Sequence, residues 1–204
     1  LFLSAGSVIH AMHHEQDMRK MGGLFKKIPY TGLMMWIGSL AIIGFPYFSG
    51  YYSKESILEN AYFVSSGIAQ YAYFVGVITA SLTAFYSWRL LFLTFHGKSR
   101  SSNEIYNSVQ ESPKVMTVPL LILALGSIFS GIFLSDYFVG EKQEIFWRYV
   151  IILSHNTQHH MPFIQTLIIK SSVALGILFS AYVYFYRENL SKKILYNLEP
   201  LYSI

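Results

Sequence analysis

Lys54 and Glu55 stand side by side in "GFPYFSGYYSKESILE", residues 44–59, a stretch that interrupts an apolar chain with Gly44, Pro46 and Gly50. An amine beside a carboxylate can take up and pass on a proton, provided that water reaches the amine and its surroundings solvate the charge poorly. A second polar group, His10, His13, His14 and Glu15, lies in "HAMHHEQ". Histidine titrates close to neutral pH, which makes His10 a candidate relay. His10 and His14, at i, i+4, supply two ligands with no spaced third, so no metal site is expected. His13 and His14 read instead as a helix terminus near water, where basic groups meet the negative end of the dipole. Two further cations lie inside apolar runs: Arg89 in "YSWRLLFL" and Lys170 in "IQTLIIKSS". Arg89 reads as a structural ion-pair partner in preference to a snorkelling residue, and Lys170 either snorkels or faces a neighbouring subunit. "SHNTQHH", residues 154–160, reads as a solvated loop. There is no cysteine, so the chain can offer no thiolate to an iron-sulfur cluster, no disulfide and no Cys nucleophile.

These groups must be positioned by membrane helices. With 53% hydrophobic and 13% charged residues and a mean hydropathy of +0.39, the chain is too apolar to clothe a soluble domain. It begins at Leu1 inside an apolar run, with neither a start methionine nor a cleavable signal, and is expected to be a fragment. A span takes about 20 helical residues. Runs of that size cover residues 68–95, 115–134 and 163–186. Residues 1–12 look like the end of an earlier transmembrane helix, and residues 30–66 hold two shorter apolar pieces on either side of the interruption. The expected fold is an all-α polytopic transmembrane helix bundle with one discontinuous helix.

The segment 30–66 is either a tight hairpin or one broken crossing. Lys and Arg collect on the cytoplasmic or matrix side of a membrane. Arg19, Lys20, Lys26 and Lys27 mark one loop (residues 13–29), Lys98, Arg100 and Lys114 a second (96–114), and Arg187, Lys192 and Lys193 the tail (187–204). A single crossing puts all three clusters on one side and leaves only Lys142 and Arg148 opposite, in the loop 135–162 with its acidic residues. A hairpin would split them, so one interrupted crossing is preferred. This distribution also accounts for the pI of 9.1 and the charge of +4 without nucleic acid. In "EKQEIFWRYVIIL", Ile145, Phe146, Tyr149 and Ile152 recur at near-helical spacing beside Trp147 and Arg148, a pattern for an interfacial helix or for the frayed start of a loop. Gly76, Ala80, Ser81 and Ala84 form a run of small residues that lets helix backbones approach closely.

A lysine at the bilayer centre costs about 2.5 to 3.5 kcal/mol on insertion scales and marks a pathway by default. Irregular backbone at that depth survives only when buried in protein or lining a hydrated cavity. The spacing predicts Ser53 as the cap of a second half-helix, with Lys54 in its first turn, where the dipole's positive end and desolvation work against the ammonium and Glu55 favours it. The alternative for Lys54 is snorkelling to the headgroups.

Two stretches, "GSVIHAMHHEQDMRKMGGLFKKIP" and "GFPYFSGYYSKESILE", resemble the antiporter-like membrane subunit of respiratory complex I, of the kind called chain 5 or chain L, and "AFYSWRLLFLTFHGK" fits the helix that follows. The resemblance runs from Leu1 to about Leu134 and is diffuse beyond. It implies a C-terminal-half fragment of a proton-translocating subunit of NADH:quinone oxidoreductase, in a bacterial inner or mitochondrial inner membrane. By the same resemblance, Lys54 matches the lysine on the family's broken helix near the outward exit, Glu55 the neighbouring acidic position, and His10 a relay candidate, while Tyr51 stands where phenylalanine is common. NADH, flavin, iron-sulfur clusters and quinone would then belong to other subunits, with no cofactor on this chain. Its partners would be other membrane subunits, especially another antiporter-like one, and the lipid bilayer. The close rival is the large subunit of a multisubunit sodium/proton antiporter. From a different class comes a passive scaffold in which Lys54 and Glu55 pair to lock a kink.

Overall fold

The computed structural model describes residues 1–140, 142–148, 150 and 161–186. Every regular element among them is helical: α1 (Phe2–Ala11), α2 (Pro29–Ile43), α3 (Ser49–Phe63), α4 (Gly67–Phe95), α5 (Asn103–Ser108), α6 (Lys114–Phe138), α7 (Gln143–Trp147) and α8 (Phe163–Ala181), the last continued by a π-helical turn over Tyr182–Tyr186. Three of these are long and apolar enough to cross a bilayer, namely α4, α6, and α8 with its extension to Phe185. They turn most of their apolar side chains outward, as helices do whose surroundings are lipid or other helices.

Residues 30–66 are divided between α2 and α3, each of 15 residues and so each about 22 Å long. Neither matches a full span. α6 continues past the expected end at residue 134 to Phe138, where the Ser135 backbone oxygen accepts the Val139 and Gly140 N–H groups and closes the helix. The loop 96–114 contains the short α5, begun by Ser102, whose side chain accepts the Ile105 N–H. Among the described residues of the amphipathic stretch, Gln143–Trp147 is helical, and Arg148 ends it in the left-handed region. Tyr149, Ile152, the loop 154–160 and the tail with Arg187, Lys192 and Lys193 lie outside the described residues.

Packing is tightest at the end that carries the basic loops. Met12, Leu24, Ile28, Met35, Leu91 and Phe95 are all at most 1% exposed, with Trp88 and Val109 beside them. The first and second basic loops touch. Arg100 donates to the backbone oxygen of Arg19 (2.9 Å), Tyr106 to that of Gly23 (3.1 Å), and the Lys27 ammonium sits 5.2 Å from the centre of the Tyr106 ring. The small residues of α4 meet α8: Ala80 and Ala84 are buried, and a β-carbon at Gly176 would collide with the Ser81 carbonyl oxygen.

In the loop before α2, Arg19 donates to both carboxylate oxygens of Asp17 (2.8 to 3.0 Å) and Lys20 to Glu15 (2.9 Å). The Arg19 hydrogen bonds hold the Asp17 carboxyl at about 2, well below the ordinary carboxylate range. Lys20 draws Glu15 down in the same way.

Candidate functional site

The site is made by the way α2 stops. Gly44 follows Ile43 with φ 78°, a left-handed conformation open to glycine. Its N–H bonds back to the Ala41 oxygen (3.1 Å) and the next N–H, of Phe45, to the Leu40 oxygen (3.0 Å), the paired closure typical of a helix end. A helix leaves its last four carbonyls without intrahelical partners. Two are thereby satisfied, and those of Ile42 and Ile43 remain. The chain then turns through Phe45–Phe48, closed by the Phe48 N–H on the Phe45 oxygen (3.1 Å), with Pro46 second and Tyr47 third in the turn. Tyr47 has φ 72°, where glycine is the preferred residue.

That turn starts α3 earlier than expected. Phe48 is its cap and Ser49 its first residue, while Ser53 lies inside the helix with its hydroxyl turned back to the Gly50 oxygen (3.4 Å). Lys54 therefore sits in the second turn of α3, beyond the few residues over which the positive end of a helix dipole acts. Gly50 comes so close to α2 that an added β-carbon would collide with the Ala41 backbone oxygen. This approach aims Lys54 back across the break. Its ammonium donates to the oxygens of Ile42 (3.2 Å) and Ile43 (3.5 Å), the two carbonyls left over. A cation on the negative end of a helix is favourably placed.

Glu55 does not form an ion pair with Lys54. The ion pairs found among the described residues are those of Asp17 with Arg19 and of Glu15 with Lys20. Glu55 interacts instead with the hydroxyl of Tyr51, one turn earlier on α3. Tyr51 also receives the Lys170 ammonium of α8 (3.3 Å), which lies 5.4 Å from the centre of its ring. Tyr51, Lys54, Glu55 and Lys170 line one cavity of about 280 Å³, closed by apolar side chains such as Leu58 and Val173. Two amines and one carboxylate thus share a largely apolar space. Beyond the cavity, Glu59 of α3 accepts the Met161 N–H just before α8 (2.7 Å), and the Tyr73 hydroxyl of α4 donates to Gln165 of α8 (3.0 Å).

The other residues expected at the site lie elsewhere. His10 is exposed in the last turn of α1, edge-on to His14 at 6.3 Å, and does not line the Lys54 cavity. His13 and His14 end α1 in left-handed conformations, and the His13 ring hydrogen-bonds to Ser108 (2.9 Å). Arg89 has no ion-pair partner among the described residues; its guanidinium lies 5.8 Å from the centre of the Tyr184 ring. The π-helical turn after α8 brings that ring to α4, so an aromatic face takes the place of an acid.

Sequence reasoning did not reach one polar cluster. Glu111, just before α6, caps α2 from 80 residues away, accepting the N–H groups of Tyr30 and Thr31 (3.1 Å each) and the Thr31 hydroxyl. Thr31 in turn meets the Ser7 hydroxyl of α1 (3.0 Å), which donates to Ser112 (2.6 Å). The lack of any Ser, Thr, Asp or Asn at Ile28, the cap position of α2, was the signal that a distant acceptor is needed.

Residues 1–83 match the family described as NADH:quinone oxidoreductase/Mrp antiporter, TM, and residues 86–201 the one described as NADH dehydrogenase subunit 5 C-terminus. The NADH-quinone oxidoreductase subunit L of Rhodobacter capsulatus is 48% identical over 159 residues, which are 72% of this chain and 22% of that protein. NADH-ubiquinone oxidoreductase chain 5 of Allomyces macrogynus is 51% identical over 131 residues, 64% of this chain and 20% of the relative. The chain 5 of Phytophthora infestans is 42% identical over 204 residues, 98% of this chain and 30% of the relative. The chain spans less than a third of the length of these curated relatives.

Proposed function

The chain belongs to the NADH dehydrogenase subunit 5 family, and we propose that it carries the outward part of a proton path in an NADH:quinone oxidoreductase, with Lys54 as the group that takes up and releases the proton. The three long apolar helices and the bacterial and mitochondrial relatives make it a multi-pass segment of an inner membrane. The observation that carries the reading is the seat of Lys54: an ammonium folded back inside the protein onto the open carbonyl end of α2, at the edge of a cavity. A snorkelling lysine would extend away from its helix to the headgroups. The carbonyls hold the ammonium, and a proton acceptor that enters the cavity competes with them for its proton.

Residues 30–66 act in this reading as one interrupted crossing. The direct contact between the first and second basic loops supports it, because α4 reverses whatever crossing precedes it. In this reading Lys54 lies within the membrane, which two half-length helices meeting at the break support. Glu55, through Tyr51, balances the charge of Lys170 and leaves the Lys54 ammonium with carbonyl partners alone. Lys170 is a second protonatable group of the outward cavity, and His10 acts as a relay toward residues outside this chain. Arg89 is structural. Redox cofactors and quinone are held by other subunits, and another antiporter-like subunit is the expected membrane neighbour.

The family matched over residues 1–83 also takes in Mrp antiporters, whereas the match over residues 86–201 is to subunit 5, which favours the NADH-linked reading. Affinity purification of the full-length tagged protein tests this. Recovery with flavin and iron-sulfur subunits, and NADH-driven proton translocation by the reconstituted preparation, is the expected result. Recovery with small antiporter subunits and sodium-dependent exchange without NADH would replace it.

A further inference from the structure

The side of the basic loops carries a buried string of polar groups of its own. We propose that Glu111, with the hydroxyls of Thr31 and Ser7, is a proton-uptake port on that side, feeding a second cavity that ends at the break. The proposal rests on the reading of Lys54 as proton carrier.

As a cap alone, Glu111 is more than α2 requires, since a neutral Ser or Asn side chain would accept the same N–H. What distinguishes it is where its hydrogen bonds lead. Thr31 is 1% exposed and Ser7 is fully buried, so the string runs from a half-buried carboxylate straight into the protein. A hydroxyl both donates and accepts. With Glu111 ionised, Thr31 donates to it. When Glu111 takes a proton from water on its own side, it becomes the donor, and the Thr31 hydrogen must turn to its other polar neighbour, Ser7. Ser7 can then give up its own hydrogen in turn. No oxygen along the string keeps a charge, because each accepts one proton and passes one on.

The Ser7 hydroxyl donates to Ser112 (2.6 Å), and Ser4, 1% exposed, lies one turn before Ser7 on α1. It opens on a cavity of about 420 Å³ between α1, α2, α3 and α6, together with Ser49 and Ser127. The Ser127 hydroxyl is buried and has no hydrogen-bond partner among the described residues. At about 30 Å³ per molecule the space admits several waters. Its far wall includes Ile42 and Gly50. Ile42 carries the carbonyl that holds Lys54, and Ile43 lines the outward cavity. The end of α2 that Lys54 caps thus lies between two cavities, one lined by Ser4 and the other by Lys170. A proton enters at Glu111 and, through hydroxyls and water, one arrives at the Lys54 amine.

The test uses the full-length protein in the intact enzyme, reconstituted into vesicles, with NADH-driven proton translocation measured per assembled enzyme. Glu111→Gln keeps an oxygen for the α2 N–H groups but cannot carry a proton, and Thr31→Val keeps the shape without the hydroxyl. Both are expected to slow translocation at least threefold, with Thr31→Ser restoring it. Translocation at the wild-type rate in both, beside a deficient Lys54→Met, would overturn the port and leave the Lys54 reading intact; a wild-type rate in Lys54→Met itself removes the carrier and the port with it. If Glu111→Gln does not assemble, the Thr31 pair decides: a wild-type rate in Thr31→Val overturns the proposal, and a slowed rate rescued by serine supports it.

Discussion

The ammonium of Lys54 lies 3.2 Å from the backbone oxygen of Ile42, so the residue that α3 contributes to the break closes the end of α2. Breaking a helix inside a membrane exposes carbonyls that neither lipid nor an adjoining turn can satisfy. The same ammonium that meets this structural need is the group proposed to move a proton. Kink and carrier are then one device: when Lys54 loses its proton, the Ile42 and Ile43 carbonyls lose their charged partner.

Gly50 sets the distance across the break. Gly50→Ala drives a methyl group into the Ala41 carbonyl, a backbone contact that cannot step aside. Overpacking of this kind costs about 1 to 3 kcal/mol. We expect a lower midpoint in thermal unfolding of the assembled enzyme, together with slower translocation, whereas Ser53→Ala, which removes only a weak bond within α3, leaves both close to wild type.

Tyr51 joins Lys170 to Glu55 through one hydroxyl. Tyr51→Phe removes that bridge and keeps the ring. A single hydrogen bond of this type contributes about 0.5 to 1.5 kcal/mol. Assembly should persist, and steady-state translocation should fall by less than tenfold. Lys170→Met, which removes one of the two amines from the cavity, should produce the larger loss in the same assay.

Arg89 packs over Tyr184. A cation over an aromatic face contributes about 0.5 to 2 kcal/mol, more when desolvated. Tyr184→Leu and Arg89→Met should therefore lower thermal stability by similar amounts, and the double variant should lose little more than either alone. Translocation per assembled enzyme should stay unchanged.

The break, its lysine and the three long spans were legible in the sequence because each leaves a local mark: two helix breakers beside a charged pair, and apolar runs of membrane length. The small residues of α4 were legible for the same reason. What could not be read was geometry that depends on backbone groups or distant partners. Ser53 is a good cap residue, but the turn begun by Gly44 and Pro46 closes early enough for α3 to start at Ser49. Glu55 neighbours Lys54 in sequence, yet successive residues on a helix point about 100° apart, and the ammonium goes to carbonyls that no residue type announces. Glu111 reaches α2 across 80 residues. Arg89 found a tyrosine where an acid was expected, because the ring lies on a helix nearly a hundred positions away.

The pairs in the first basic loop give a pH dependence with a definite sign. Asp17 is held at about 2, below its ordinary 3.8, by the Arg19 hydrogen bonds. A carboxyl depressed in the folded state adds stability that is fully present above its ordinary value and is lost as pH falls through the depressed one. The Arg19 amide, which donates to Asp17, should therefore stay protected from hydrogen exchange at pH 4 and lose protection between about pH 3.8 and 2. In Asp17→Asn that step should vanish.

The central claim is tested most directly at Lys54, in the full-length protein within the intact enzyme, by comparing NADH-driven proton translocation per electron in Lys54→Met and Lys54→Arg with wild type. Arginine can still cap the Ile42 and Ile43 carbonyls but does not give up its proton. If Lys54 carries the proton, both variants assemble poorly or well according to how the break is capped, and both fall short in protons per electron. A wild-type ratio in Lys54→Arg, with only Lys54→Met impaired in assembly, would mean that the residue merely closes the helix, and the account would be wrong.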